Sequence, residues 1–165
     1  MLDQIIPWLF AAASVAAGLV AGVFLTFSDF VMRSLGAAAP AAGMEAMQQI
    51  NRKVYRSIFM VLLLGMVPVS LAIAAHAAIF AGDAARAWLI AGAAFYLLGV
   101  FGVTGAGNVP MNKRLDVIDP VENAALGYWA QYERNWTLLN HVRTVASAGS
   151  AICFLVGAML TGQAG

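Results

Sequence analysis

Residues 57–80 read SIFMVLLLGMVPVSLAIAAHAAIF, without one Asp, Glu, Lys or Arg. A helix needs about 20 mostly apolar residues to cross the ~30 Å hydrocarbon core of a bilayer. This stretch is long enough, and it is continuous where a transmembrane β-strand would alternate apolar with polar. Outward from it, three further stretches pass the same test. The spans lie at about 5–27, 57–80, 87–106 and 140–160, within a single domain covering residues 1–165. The expected fold class is all-α, an integral membrane four-helix bundle, with the lipid bilayer as its first partner.

The whole chain agrees. Hydrophobic residues make up 62% and charged residues 10%, against about 25% charged in a soluble domain. A net charge of +1 carries no basic excess for nucleic acid. Cys153 is the single cysteine and lies inside an apolar run, which excludes an internal disulfide and a CxxC motif. A cleaved signal peptide is the alternative reading of the first span. No Lys or Arg precedes it, Asp3 does, and its apolar run outlasts a signal core, so a retained helix is expected.

The loops orient the bundle. Arg33, Arg52, Lys53 and Arg56 fall between spans one and two; Lys113, Arg114 and Arg134 fall between spans three and four, and Arg143 begins the last span. Only Arg86 lies on the other side. The positive-inside rule puts loops 28–56 and 107–139 in the cytoplasm and both termini outside; in a bacterium the membrane is the plasma or inner one. Small residues recur at helical spacing, as Ser14, Gly18 and Gly22 in span one and Gly149, Cys153 and Gly157 in span four. Such ridges serve close packing within the bundle or a homo-oligomer face.

Two helices extend past their spans on the cytoplasmic side. Asp119-Pro120-Val121-Glu122 has the form of a helix start, with a capping Asp and Pro in the first turn. Helix four is therefore expected from about Pro120 to about Leu160. After Pro40, positions 44, 47, 48, 51 and 55 share one face, so helix two is expected from near residue 41, entering lipid near residue 57 and kinking at Pro68.

The polar residues gather at the same boundary. Asn108 and Asn112 flank Pro110, which is expected to end span three. They cap and tie loops, or they bind a ligand. Trp129, Glu133, Trp136, Asn140, Arg143, Thr144 and Ser147 share one face of helix four. An Arg at this depth faces protein or water with a partner, for which Glu133 and Asp119 are candidates, or snorkels to the headgroups. His141 points about 100° away from Asn140 and reads as a general base or a structural imidazole. His76 lies near the opposite membrane face, roughly 25–30 Å away at 1.5 Å per residue, so the two histidines share no metal. No zinc or iron ligand set and no phosphate loop is present in the sequence.

The blocks Gly105-Ala106-Gly107-Asn108-Val109-Pro110-Met111-Asn112, Asp119-Pro120 and Trp136-Thr137-Leu138-Leu139-Asn140-His141-Val142-Arg143 resemble the anthrone oxygenase family, also called a domain of unknown function (DUF1772). Gln49-Ile50-Asn51-Arg52 extends the likeness upstream of span two. The resemblance implies a four-helix membrane protein. For some members it implies oxidation of anthrones to anthraquinones by O₂ without a cofactor. Carried onto this chain, His141 is the base with Glu133 second. Asn108, Asn112, Asn140 and Arg143 are oxyanion donors, Trp129 and Trp136 stack on the ring, and Asn51 joins the substrate-binding set. The partner is a hydrophobic small molecule, and no metal is implied. The alternative is a non-catalytic membrane protein holding a quinone, a lipid or a partner subunit. Transport would require at least a dimer, because four spans make a poor pathway.

Overall fold

A computed structural model describes residues 2–163. Among these the chain is helical and irregular only, without a strand. The helices are α1 (Leu2–Thr26), α2 (Met32–Ala37), α3 (Pro40–Val54), α4 (Ile58–Phe80), α5 (Asp83–Ala94), α6 (Val109–Asp116) and α7 (Asn123–Gln163). A π-helical turn at Phe27–Val31 joins α1 to α2. Two more, Phe95–Gly102 and Thr104–Asn108, join α5 to α6. Four rods result, each long and apolar enough to cross a membrane: Gln4–Ala37, Ile58–Phe80, Asp83–Asp116 and Ala125–Gln163. This is an integral membrane protein.

Successive rods run antiparallel. Phe10 meets the ring of His76, and Phe24 meets Phe59, so α1 descends against α4. The Tyr96 hydroxyl donates to the Leu63 carbonyl at 3.1 Å, joining the third rod to α4. Ser14 Oγ donates to the Ala151 carbonyl at 2.7 Å, closing the ring between α1 and α7. The inner face is a stack of small and large apolar residues, among them Ala17, Val20, Leu89 and Phe154. The outer face carries Val61, Leu98 and Val145, each at least 70% exposed, which suits a helix surface bathed in acyl chains.

Small residues set the close contacts on one side only. A Cβ on Gly99 would meet Ala146 Cβ at 2.5 Å, and one on Gly92 would meet the Phe154 ring at 2.8 Å. On α7, Gly149 faces the Phe95 ring and Gly157 faces Leu89. The ridge of Gly149, Cys153 and Gly157 is therefore an internal packing face against the third rod. On α1, Ser14 turns inward, but Gly18 and Gly22 have nothing within 4 Å.

Three sequence expectations are corrected. Helix two is not continuous, because it breaks at Tyr55–Ser57. Ser57 makes the break: its hydroxyl donates to the Val54 carbonyl at 2.7 Å and accepts from the Met60 amide at 3.2 Å, closing α3 and capping α4. Helix four starts at Asn123 rather than Pro120, since Asp119 Oδ1 accepts from the Val121 amide at 3.1 Å and caps a turn instead. Pro110 does not end span three. The π-helical turn upstream accommodates the missing donor, and the helix continues to Asp116. Pro68 lies inside α4, where the sequence placed it.

At the end of the bundle opposite the chain termini, α2, α3, α6 and the first turns of α7 form a second core. It holds Met32, Met44, Met47, Leu115, Trp129, Tyr132 and Trp136. Gln48 pins it, donating to the carbonyls of Leu115 at 2.9 Å and Ile118 at 2.8 Å. Arg52 and Asp116 close its rim with a 2.7 Å ion pair.

Candidate functional site

A cavity lies at the seam between the two cores. Its empty space, with the open mouth included, is about 610 Å³. Most of its wall is apolar, from Phe24 and Phe27 on the first rod to Met60 and Leu63 on α4. Asn51, Thr104, Asn108, Asn112, Trp136 and Arg143 supply the polar wall. Tyr55, 56% exposed, is the lining residue that reaches the surface. A mainly apolar cleft with a few convergent polar groups is the usual form of a small-molecule site.

Arg143 is the centre of that wall. It is 5% exposed, its guanidinium lies 4.3 Å from the Phe24 ring centroid and 5.1 Å from that of Trp136. Nη2 donates to Asn140 Oδ1 at 2.7 Å and Nη1 to Thr104 Oγ1 at 3.3 Å, while Nε has no protein partner. The acidic partner expected from the sequence is not there: among the described residues no carboxylate pairs with Arg143. Glu133 lays its carboxylate against Gly36, and Asp119 caps its own turn. Nor does Arg143 snorkel; it is turned into the bundle.

Asn140 holds this cation in place. Its amino group donates to the Phe24 carbonyl and to Ser28 Oγ, both at 2.6 Å. Ser28 belongs to the π-helical turn of the first rod, which turns it inward to 6% exposure. Both ends of the Asn140 carboxamide are thereby engaged within the protein.

The amide orientations of the other two asparagines follow from their partners. Asn112 Oδ1 accepts from the Tyr132 hydroxyl at 2.8 Å and from Trp136 Nε1 at 2.9 Å. An indole N–H only donates, so the atom it meets is the oxygen. The Asn112 amino group is then the free end on the cavity wall. Asn108 is the reverse: its amino group donates to the Trp136 carbonyl at 3.3 Å, and its oxygen has no partner. Asn51 donates to the Tyr132 hydroxyl at 3.4 Å from the facing helix.

The sequence face on α7 thus divides. Trp136 and Arg143 line the cavity and Asn140 supports it. Trp129 lies deeper, stacked on Tyr132 with centroids 5.7 Å apart, and Tyr132 in turn stacks on Trp136 at 6.3 Å. His141 is exposed on the outer side of α7 and lines no part of the cavity. Glu133 is off it as well. Tyr132 lies at the edge of that face, and sequence reading missed Phe24 and Ser28. The polar run from Thr26 to Asp29 at the end of span one was the available signal. Among the described residues no three of His, Cys, Asp and Glu come together as a metal site would need.

The sequence profile of the Anthrone oxygenase family matches residues 52–153, which takes in α4, the whole third rod and most of α7. The chain belongs to the anthrone oxygenase family. Among the cavity residues Thr104, Asn108, Asn112, Trp136 and Arg143 fall within the family match; Phe24 and Asn51 lie before it. No curated protein and no solved structure matches the chain.

Proposed function

We propose that this chain oxidises a hydrophobic aromatic of the anthrone type with O₂, without a cofactor, in the Arg143 cavity near the cytoplasmic boundary of the membrane. The observation that carries this reading is Arg143 itself, a buried cation without a carboxylate, walled by aromatic rings. An anthrone's central CH₂ is acidic because its conjugate base is an aromatic oxyanion. In a site of low dielectric the guanidinium and the Asn112 amino group stabilise that oxyanion far more than water does. The electron-rich ring carbon then reduces O₂ and forms a C–O bond, giving a hydroperoxide. Loss of water from the hydroperoxide leaves the ketone. The balance is one CH₂ and one O₂ to one C=O and one H₂O, with O₂ as both oxidant and oxygen source.

No carboxylate or imidazole lines the cavity. In this reading the oxyanion site lowers the substrate's own proton affinity, and the proton leaves to water at the mouth beside Tyr55. His141 and Glu133, the bases expected from the sequence, take no part. In the same reading α7, with 41 residues and about 60 Å of helix, twice the hydrocarbon thickness, carries Trp129 and Trp136 at its start beyond the lipid core.

The absence of a lining base also favours a second reading, in which a quinone-like ligand binds here without turnover. Oxygen uptake by the detergent-solubilised protein with a panel of anthrones separates the two. Saturable uptake above the spontaneous rate, lost in Arg143→Met, supports oxidation. Uptake equal to buffer, with ligand still bound, supports the binding protein.

A further inference from the structure

We propose that Asn108 is a specificity residue: its carboxamide oxygen accepts a hydrogen bond from a hydroxyl on the ligand, so that the cavity takes a hydroxylated ring over a bare one. This rests on the aromatic-ligand reading above and goes further, because it names a second recognition point and its sign.

The direction of the Asn108 amide is set by Trp136. A main-chain carbonyl can only accept, so the Asn108 atom 3.3 Å from it is the nitrogen. The oxygen is left as an acceptor with no protein donor, on a residue 1% exposed that lines the cavity. Buried acceptors without partners are uncommon, and each calls for a donor that the protein itself does not supply. Asn108 sits one turn beyond Thr104, the residue that Arg143 Nη1 contacts at 3.3 Å. Arg143 Nε is the matching vacancy on the donor side, a buried N–H without an acceptor. Both residues line the same cavity, one with a buried acceptor and the other with a buried donor that no protein atom meets. A ligand that fills both brings an oxyanion or carbonyl oxygen to Arg143 and a hydroxyl to Asn108. The hydroxyl must be free to donate outward rather than chelated to its own ring carbonyl. Sites built around a hydroxyl reject the analogue lacking it strongly, because the buried protein group is then left unpaired.

Anthraquinones test this without turnover, since they are already oxidised. The ring has two distinct positions, so 1-hydroxy- and 2-hydroxyanthraquinone cover both, with each methyl ether and the parent ring as controls. Binding to the full-length protein in detergent is read from quenching of tryptophan fluorescence. The expected result is that 2-hydroxyanthraquinone, whose hydroxyl is free of the ring carbonyl, binds about 10-fold tighter than its ether and than the parent, while 1-hydroxyanthraquinone, chelated to its own carbonyl, does not. In Asn108→Leu, which keeps the branched shape and removes the acceptor, that preference falls to within about two-fold while binding of the parent persists. Asn108→Ala serves where the leucine variant does not fold. Equal binding of hydroxy, ether and parent rings by the natural protein, as a water bridging Asn108 and Arg143 would give, overturns the assignment and leaves the aromatic site standing. A preference retained in Asn108→Leu overturns it too. If no ring binds, the aromatic-ligand reading falls, and this inference with it.

Discussion

Asn140 Oδ1 accepts a hydrogen bond from Arg143 Nη2 at 2.7 Å, while the same carboxamide donates to the Phe24 carbonyl, 116 residues away in the chain. One side chain therefore locks the cation of α7 to the π-helical end of the first rod. Asn140→Ala removes two donors and leaves a buried guanidinium N–H unpaired. The expected loss is about 2–4 kcal/mol, because an orphaned charged group loses more than an ordinary hydrogen bond. Thermal unfolding in detergent should fall by several degrees, and an unchanged midpoint would refute the lock.

Arg143→Met should separate function from stability. Removing one donor from an oxyanion site lowers turnover by about 10²–10³-fold. Replacing a buried, uncompensated charge with an apolar side chain of similar length is neutral or stabilising in many proteins. Oxygen uptake should collapse while the unfolding midpoint holds. Loss of both together would mean that Arg143 is chiefly structural.

His141→Ala should leave turnover within about two-fold of the natural protein, the range for a surface change away from the chemistry. The imidazole is exposed and outside the cavity. A large drop in initial rate, with unaltered unfolding, would restore the base role that the sequence suggested.

The glycines offer a paired test of packing. Gly99→Ala drives its methyl into Ala146, which has no flexible end to move aside, and should destabilise by about 1–3 kcal/mol. Gly18→Ala and Gly22→Ala meet nothing within 4 Å and should be neutral or stabilise by up to about 1 kcal/mol. Melting curves of the three variants decide it. Destabilisation by the α1 changes, accompanied by a smaller particle on size exclusion, would reveal a second copy seated on that face.

The four spans were legible in residue order because crossing a bilayer depends on length and apolar content, which are local and additive along the chain. The periodic faces of α3 and α7 were legible for a similar reason. Met44, Met47, Gln48, Asn51, Trp129, Trp136, Asn140, Arg143 and Ser147 are buried, as a 3.6-residue period requires when one side of a helix meets protein, while Glu133 and Thr144 are half-buried and Tyr55, past the end of α3, is exposed. Helix starts were read less well, since the same Asp-Pro pair suits a turn and a helix cap, and Pro110 is tolerated once a π-helical turn precedes it.

What tertiary structure decided is how these faces use their polar atoms. Periodicity brings Asn108, Asn112 and Asn140 toward the bundle, but each carboxamide has a donor end and an acceptor end. The Trp136 carbonyl, the Trp136 indole with Tyr132, and the Phe24 carbonyl choose between them. Those partners come from other turns and other helices. A hydrogen bond depends on atoms within about 3 Å in space, and distance along the chain carries no record of which atoms those will be.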